Sequence, residues 1–293
     1  MADLLTLDKR RLRESFERAA GTYDSAAVLQ REIADRMLAR SEVIKLAPRV
    51  ILDVGCGTGY DLAKLSQHYR QARLIGVDIA QAMTRHARAK SGWWNRFTQR
   101  IAFIGGDAEQ LPLAAASVDM LFSNLALQWC DPLRVFAEAR RVLRPGGLIM
   151  FSSFGPDTLR ELRQAWQAAD NAPHVHGFID MHDLGDMLIH AGFTDPVMDM
   201  ERFTLTYSGV MDVLRDLKRL GAHNAAVGRT RGLTGKARFA RFRAAYEALA
   251  QAGKIPATYE AVYGHAWIPE ANHERSADGV SVVSMQGLRR KSP

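Results

Sequence analysis

Five short apolar runs, each nearly apolar on both faces, constrain this chain more than any other feature. They are "RVILDV" (49–54), "ARLIGVD" (72–78), "IAFIGGD" (101–107), "VDMLFSN" (118–124) and "GGLIMFSSF" (146–154). Runs of this length and character suit strands buried in a parallel sheet. Helical stretches separate them: "DLAKLSQHY", "IAQAMTRHARAK" and "PLRVFAEARRVL". Strands alternating with helices predict right-handed βαβ units and a sheet covered on both sides. The "RPGG" at Arg144 to Gly147 reads as a helix stop ahead of the fifth strand.

Before this core, helical spacing predicts one helix from about Asp8 to Ala20, carrying Leu12 and Phe16. Gly21 breaks it. Asp24 or Ser25 is the expected cap of a second helix reaching about Ser41, with Leu29, Ile33 and Met37 on one stripe. After Phe154 the regular alternation ends. Helices are expected in "DTLRELRQAWQAAD" and "DMHDLGDMLIHAGF", and near Val210–Leu220 and Lys236–Ala252. "VMDMERFTLTY" and "TYEAVYGHAWI" read as strands. The expected division is a helical lid at 1–44, a main domain at 45–269 with helical insertions at about 155–192 and 208–253, and a polar tail at 270–293.

Composition narrows the class. With 47% apolar and 24% charged residues, the chain is ordinary globular protein. No run approaches the 18 or so apolar residues a membrane span needs. The first twenty residues fit neither a secretory signal nor an acid-poor transit peptide, so cytoplasm is the expected compartment. Only Cys56 and Cys130 occur, far apart and in no CxxC pair, which argues against a disulfide framework and a cysteine-based zinc site; both read as small fillers. His174, His176 and His182 lack carboxylate or thiolate partners at ligand spacing, so no metal is expected. The net charge of +7 favours an acidic partner without choosing one.

The chemistry sits in "ILDVGCGTGYD" (51–61). Gly55, Gly57 and Gly59 give G-x-G-x-G after the first strand. Tyr60 stands where the third glycine of the dinucleotide fingerprint belongs, and no lysine completes a phosphate-cradling P-loop. Asp53 puts a carboxylate beside the loop, which would repel a pyrophosphate and suit a cationic ligand. S-adenosylmethionine carries both an ammonium and a sulfonium. Asp78 ends the second strand, placed to accept from ribose hydroxyls. Asp107 ends the third, placed to accept from an adenine amino group, with Ile79, Met83 and Ala108 as an apolar slot for the ring. Asn124 ends the fourth strand.

This pattern resembles the class I S-adenosylmethionine-dependent methyltransferases over about residues 45–155. The resemblance implies an α/β fold with a doubly wound, mostly parallel, Rossmann-like sheet of seven strands. The last strand would be antiparallel, so "TYEAVYGHAWI" would be that strand. "FERAAGTYD", "SNLALQWCDP", "ELRQAWQAAD" and "LKRLGAHNAAVGR" further resemble the malonyl-acyl-carrier-protein O-methyltransferases of early biotin synthesis, up to about Pro269. The resemblance implies methylation of the free carboxylate of a malonyl thioester. Such a carboxylate is already a nucleophile and needs a cation to position it. Arg144, Arg219 and Arg229 are candidates, Arg229 being favoured. Tyr23 is expected to close the site, and Trp129 to form a pocket wall. The basic stretch from Arg215 to Arg243 would face an acidic acyl carrier protein. Other readings stay open on the same fold: methylation of another small carboxylic acid or quinone precursor, or an assembly factor that serves by binding. Basic charge also suggests RNA methylation, but no RNA-binding module is recognisable, so no nucleic-acid partner is expected. Oligomeric state is not legible.

Overall fold

A computed structural model of the chain describes residues 7–92, 100–225, 227 and 235–270. One seven-stranded sheet organises it: β1 (Val50–Val54), β2 (Arg73–Asp78), β3 (Ile101–Gly105), β4 (Val118–Ser123), β5 (Leu143–Phe154), β6 (Thr194–Tyr207) and β7 (Ile255–Trp267). The strand order is β3-β2-β1-β4-β5-β7-β6. β1 to β5 are parallel, and β7 is antiparallel to both of its neighbours, β5 and β6. The last strand is therefore antiparallel, as the resemblance implies, and it enters the sheet between two earlier ones.

The helices are α1 (Lys9–Ala19), α2 (Tyr23–Ala26), α3 (Val28–Ser41), α4 (Tyr60–His68), α5 (Gln81–Lys90), α6 (Pro132–Val142), α7 (Arg160–Gln167), α8 (Met181–His190), α9 (Val210–Arg219) and α10 (Lys236–Glu247). They cover both faces of the sheet. Successive β1 residues point to opposite faces: Ile51 joins a cluster with Leu29, Ile33 and Met37 of α3 and Leu62 of α4. Leu52 and Val54 join the other, with Val135 and Phe136 of α6 and Leu184 of α8. Strands buried on two faces need apolar residues throughout, which explains the unbroken runs in the sequence.

Two boundaries differ from expectation. Asp24 and Ser25 lie inside the single turn of α2, and α3 begins at Val28 behind Ala27, whose side chain offers no cap. Asp24 instead accepts hydrogen bonds from Thr58 and Lys90, fastening the N-terminal segment to the glycine loop and α5. Arg144–Gly147 lies within β5, which starts directly after α6. The β4–β5 register shifts there, and a Cβ on Gly147 would stand 2.8 Å from the Arg144 carbonyl oxygen.

The order of strands reverses between β1 and β4, which leaves a crevice at their carboxyl ends. α1 and α2 lie across it. Glu17 of α1 accepts from the backbone N–H groups of Gln81 (2.6 Å) and Ala82 (2.9 Å). These are otherwise open donors at the start of α5, whose own N-cap, Ala80, offers no side-chain bond. Ala20 and Phe16 pack beside Ala80, Ala82 and Met83. A charged cap and an apolar contact thus fix α1 over the crevice.

Candidate active site

The turn after β1 is built from left-handed glycines. Gly55, Gly57 and Gly59 have φ of 76°, 50° and 86°, where a β-carbon is costly. At Gly55 the space is closed as well, since a Cβ would lie 2.3 Å from the Ala126 Cβ. At Gly57 the nearest non-neighbouring atoms are 4.0 Å away, one of them on the Tyr23 ring, so that face of the loop opens toward a cavity. Gly59 serves packing: its Cβ would meet Ala87 of α5 at 3.0 Å.

Gly55, Gly57, Asp78, Ile79, Met83, Asp107, Ala108, Asn124, Tyr23 and Trp129 line one cavity beneath α1 and α2. Ten of the residues anticipated from sequence thus converge. Asp53 and Gly59 stand behind its wall. Arg229 lies outside the described residues. Arg144 pairs with Asp119 near the opposite ends of the strands, so it is not a substrate cation. Arg219 is exposed beside Leu220, itself a lining residue.

Carboxylates dominate the electrostatics. Asp78 is fixed by backbone donors: Gly57 N–H at 2.9 Å and Ala80 N–H at 2.8 Å. Burial raises its pKa to about 6 in spite of those bonds. Asp53 is wholly buried, with no hydrogen-bond partner for either oxygen among the described residues. Burial and the nearby Asp61 and Asp78 charges push its pKa well up. Asp61, on the first turn of α4, has an unpartnered Oδ1. Burial lifts its pKa to about 7 although Asn124 hydrogen-bonds it. Three buried acids share one small region without a paired cation among the described residues. Such an arrangement is costly alone and favourable once a positive ligand arrives.

The other side chains complete the shape. Asn124 donates to the Gln30 carbonyl (3.0 Å) and accepts from the Ser152 hydroxyl (2.7 Å). Its amide is held by the protein and serves mainly to frame the cavity. The Tyr23 phenol is raised above its usual range by burial and by Asp61, Asp78 and Asp24. It therefore stays protonated and acts as a donor or a wall, not a base. Asp107 accepts from Lys9 of α1 at 2.6 Å, and Lys9 also pairs with Glu109 at 2.7 Å. Trp129 meets Phe16 edge-on at 5.5 Å.

The three histidines do not converge. His174 stacks on Trp166 (3.7 Å between centroids) and pairs with Asp170; His176 is buried and His182 exposed. Much of the basic stretch is engaged internally: Arg215 pairs with Asp212, Arg238 with Asp170 and Arg243 with Glu247. Asp61 and Lys9 were missed by sequence reasoning. Asp61 stood inside the quoted glycine stretch, six residues after Gly55, and its place on a buried first turn was the unused signal. Nothing local in sequence marks Lys9.

Comparison with known proteins agrees with this geometry. A methyltransferase domain family matches residues 52–151. The fold resembles the YcgJ protein of Bacillus subtilis, with a TM-score of 0.57 at 15% identity, covering 81% of this chain and 99% of that one. The chain is 54% identical over 276 residues to the malonyl-acyl-carrier-protein O-methyltransferase of Nitrosospira multiformis, covering 90% of each. The protein of that name from Laribacter hongkongensis is 53% identical over 95% of each chain. The one from Halorhodospira halophila is 45% identical over 99% of this chain and 98% of its own. The glycine turn, the buried acids and these likenesses over nearly the whole length agree: the chain belongs to the malonyl-acyl-carrier-protein O-methyltransferase family.

Proposed function

We propose that the protein transfers a methyl group from S-adenosylmethionine to the free carboxylate of a malonyl thioester held on an acyl carrier protein, in the cytoplasm. The observation that carries this reading is the group of buried, uncompensated carboxylates behind a left-handed glycine turn. A dinucleotide would bring negative charge to them. A ligand with an ammonium and a sulfonium relieves them. When bound, that cofactor supplies an already activated methyl group.

The chain's own residues then have four tasks. Gly57, with no side chain, lets the ligand approach the backbone, and Asp78 accepts from its ribose hydroxyls. Asp107 accepts from the adenine amino group once Lys9 lets go, while Ile79, Met83 and Ala108 hold the ring. The N-terminal segment, residues 1–44, is the lid that excludes water, with Tyr23 and Phe16 on its inner side. A malonyl carboxylate is ionised at neutral pH, so no base is needed; the protonated Tyr23 accords with that. The remaining task is alignment, assigned to Trp129 and to Arg229 as the cation for the carboxylate. An acidic carrier would be drawn by the positive net charge, although the internal pairing of Arg215, Arg238 and Arg243 leaves fewer free cations than a residue count suggests.

The test is purified protein with labelled S-adenosylmethionine and malonyl carrier protein, followed by mass spectrometry. A methyl ester on the malonyl group is expected. Methylation of the carrier polypeptide, or none, would reject the reading.

A further inference from the structure

A second cavity of about 400 Å³ adjoins the first, within the range of roughly 300–1,000 Å³ usual for small-molecule sites. It shares Lys9, Gln128, Trp129 and Cys130 with the cofactor cavity, so Trp129 stands as the partition. Its walls are largely apolar, from Leu127, Phe178, Leu184 and Met187. Lys9, Glu109, Asp131 and Ser153 also line it, and two buried polar atoms have no partner among the described residues. His176 is 6% exposed, its ring lies 4.7 Å from that of Trp129, and its Nε2 has no partner among the described residues. Burial and the nearby Arg163 lower the His176 pKa to about 4, so the ring is neutral at physiological pH and one of its two nitrogens carries a hydrogen. Gln128 Oε1 is also buried without a partner. Its Nε2 donates to the Leu125 carbonyl at 2.7 Å, which fixes the amide and leaves the oxygen as an acceptor. At the rim Arg134 is 71% exposed and pairs only loosely with Glu109 (3.8 Å) and Asp131 (3.6 Å).

A largely apolar wall with one unpaired acceptor, one neutral imidazole and, at the rim, an exposed arginine beside two carboxylates does not suit a compact anion. It suits a slender chain with amide groups along it and a phosphate at its far end. We propose that this second cavity receives the phosphopantetheine arm of the carrier-bound thioester, with His176 Nε2 hydrogen-bonding an arm amide and Arg134 meeting its phosphate. The inference rests on the substrate reading above. The arm's thioester end arrives at Trp129, on the far side of which the methyl donor binds. Gln128 Oε1 takes an amide N–H, and the apolar walls cover the methylene and gem-dimethyl segments.

The test compares three substrates: malonyl carrier protein, malonyl-coenzyme A, and malonyl S-methyl thioester, which lacks the arm. Met187→Trp fills the cavity, and His176→Phe keeps the ring's bulk and removes its nitrogens. Both variants are expected to lower kcat/KM by about tenfold for the two long substrates, chiefly through KM. Both should leave the short thioester and the cofactor Kd, measured by calorimetry, unchanged. Leu133→Trp, at a rim position 52% exposed, gives the same comparison if Met187→Trp fails to fold. Equal losses on long and short substrates, or unchanged KM for the long ones, would overturn the assignment of the cavity while leaving the reaction intact. A wild-type protein inactive on all three would overturn the reaction and the channel together.

Discussion

Lys9 Nζ lies 2.6 Å from Asp107 Oδ2, which ties the first helix to the carboxylate that the proposed function assigns to an adenine amino group. Under that proposal the first helix and the ligand compete for one acid. Both side chains are about a third exposed, at 35% and 33%, so the pair is worth on the order of 1 kcal/mol or less.

Lys9→Ala should therefore quicken cofactor association by up to about fivefold. Stopped-flow fluorescence can follow it, because Trp129 lines the cavity. Association that is unchanged or slower would show that Lys9 does not guard Asp107.

Cofactor affinity should fall as the solution is acidified. Asp61 and Asp78 titrate near 7 and 6 in the free protein, and a cationic ligand favours their ionised forms. Below each value the complex must expel a proton, so Kd should rise by up to about tenfold per pH unit for each group. Stability of the free protein should run the other way. Both folded pKa values lie above the ordinary 3.8, so the folded state holds more protons than the unfolded chain between about pH 4 and 7. The contribution of these groups to stability then declines as pH rises through that window. Calorimetric Kd values between pH 5.5 and 8, beside thermal melts of the free protein, check both signs.

Asp53→Asn should separate stability from binding. Its carboxylate is buried and unpaired among the described residues, so the neutral amide should stabilise the free protein by about 1–3 kcal/mol while weakening the cofactor. A melting temperature that drops, with affinity intact, would mean that Asp53 serves the fold and not the ligand.

The loop glycines should differ in severity. Gly55→Ala drives a β-carbon to 2.3 Å from that of Ala126 and should abolish folding or destabilise by several kcal/mol, about what overpacking and a left-handed residue together cost. Gly57→Ala meets no atom closer than 4.0 Å; about 1–2 kcal/mol of backbone strain is expected. It should fold yet bind cofactor poorly, since its β-carbon points toward Tyr23 and the cavity. Denaturant melts and calorimetry on the two variants give the ranking.

The sheet was legible because its central strands are buried on both faces and carry unbroken apolar runs, and because Asp78 closes β2 and Asp107 follows β3 by two residues. Residues such as Ile79, Met83 and Ala108 follow from those strand ends by simple adjacency. What stayed hidden depends on contacts across long stretches of chain. Glu17 caps α5 from 64 and 65 residues away, and Lys9 reaches Asp107 across 98; no local pattern encodes either. The start of α3 was misplaced for a related reason. Asp24 has the side chain of a cap, but Thr58 and Lys90 claim it. Internal pairing of the basic stretch was likewise invisible to a count of arginines.

The insertion of β7 between β5 and β6 has a consequence for biosynthesis. Trp267 pairs with Leu148 and Thr194, so a growing polypeptide emerging from the ribosome must wait for Ile255–Trp267 before the sheet can close. Until then β5 and β6 present bare backbone edges that invite pairing with other chains. A translation stall or premature stop before Ile255 should thus yield aggregates rather than a shortened but folded enzyme.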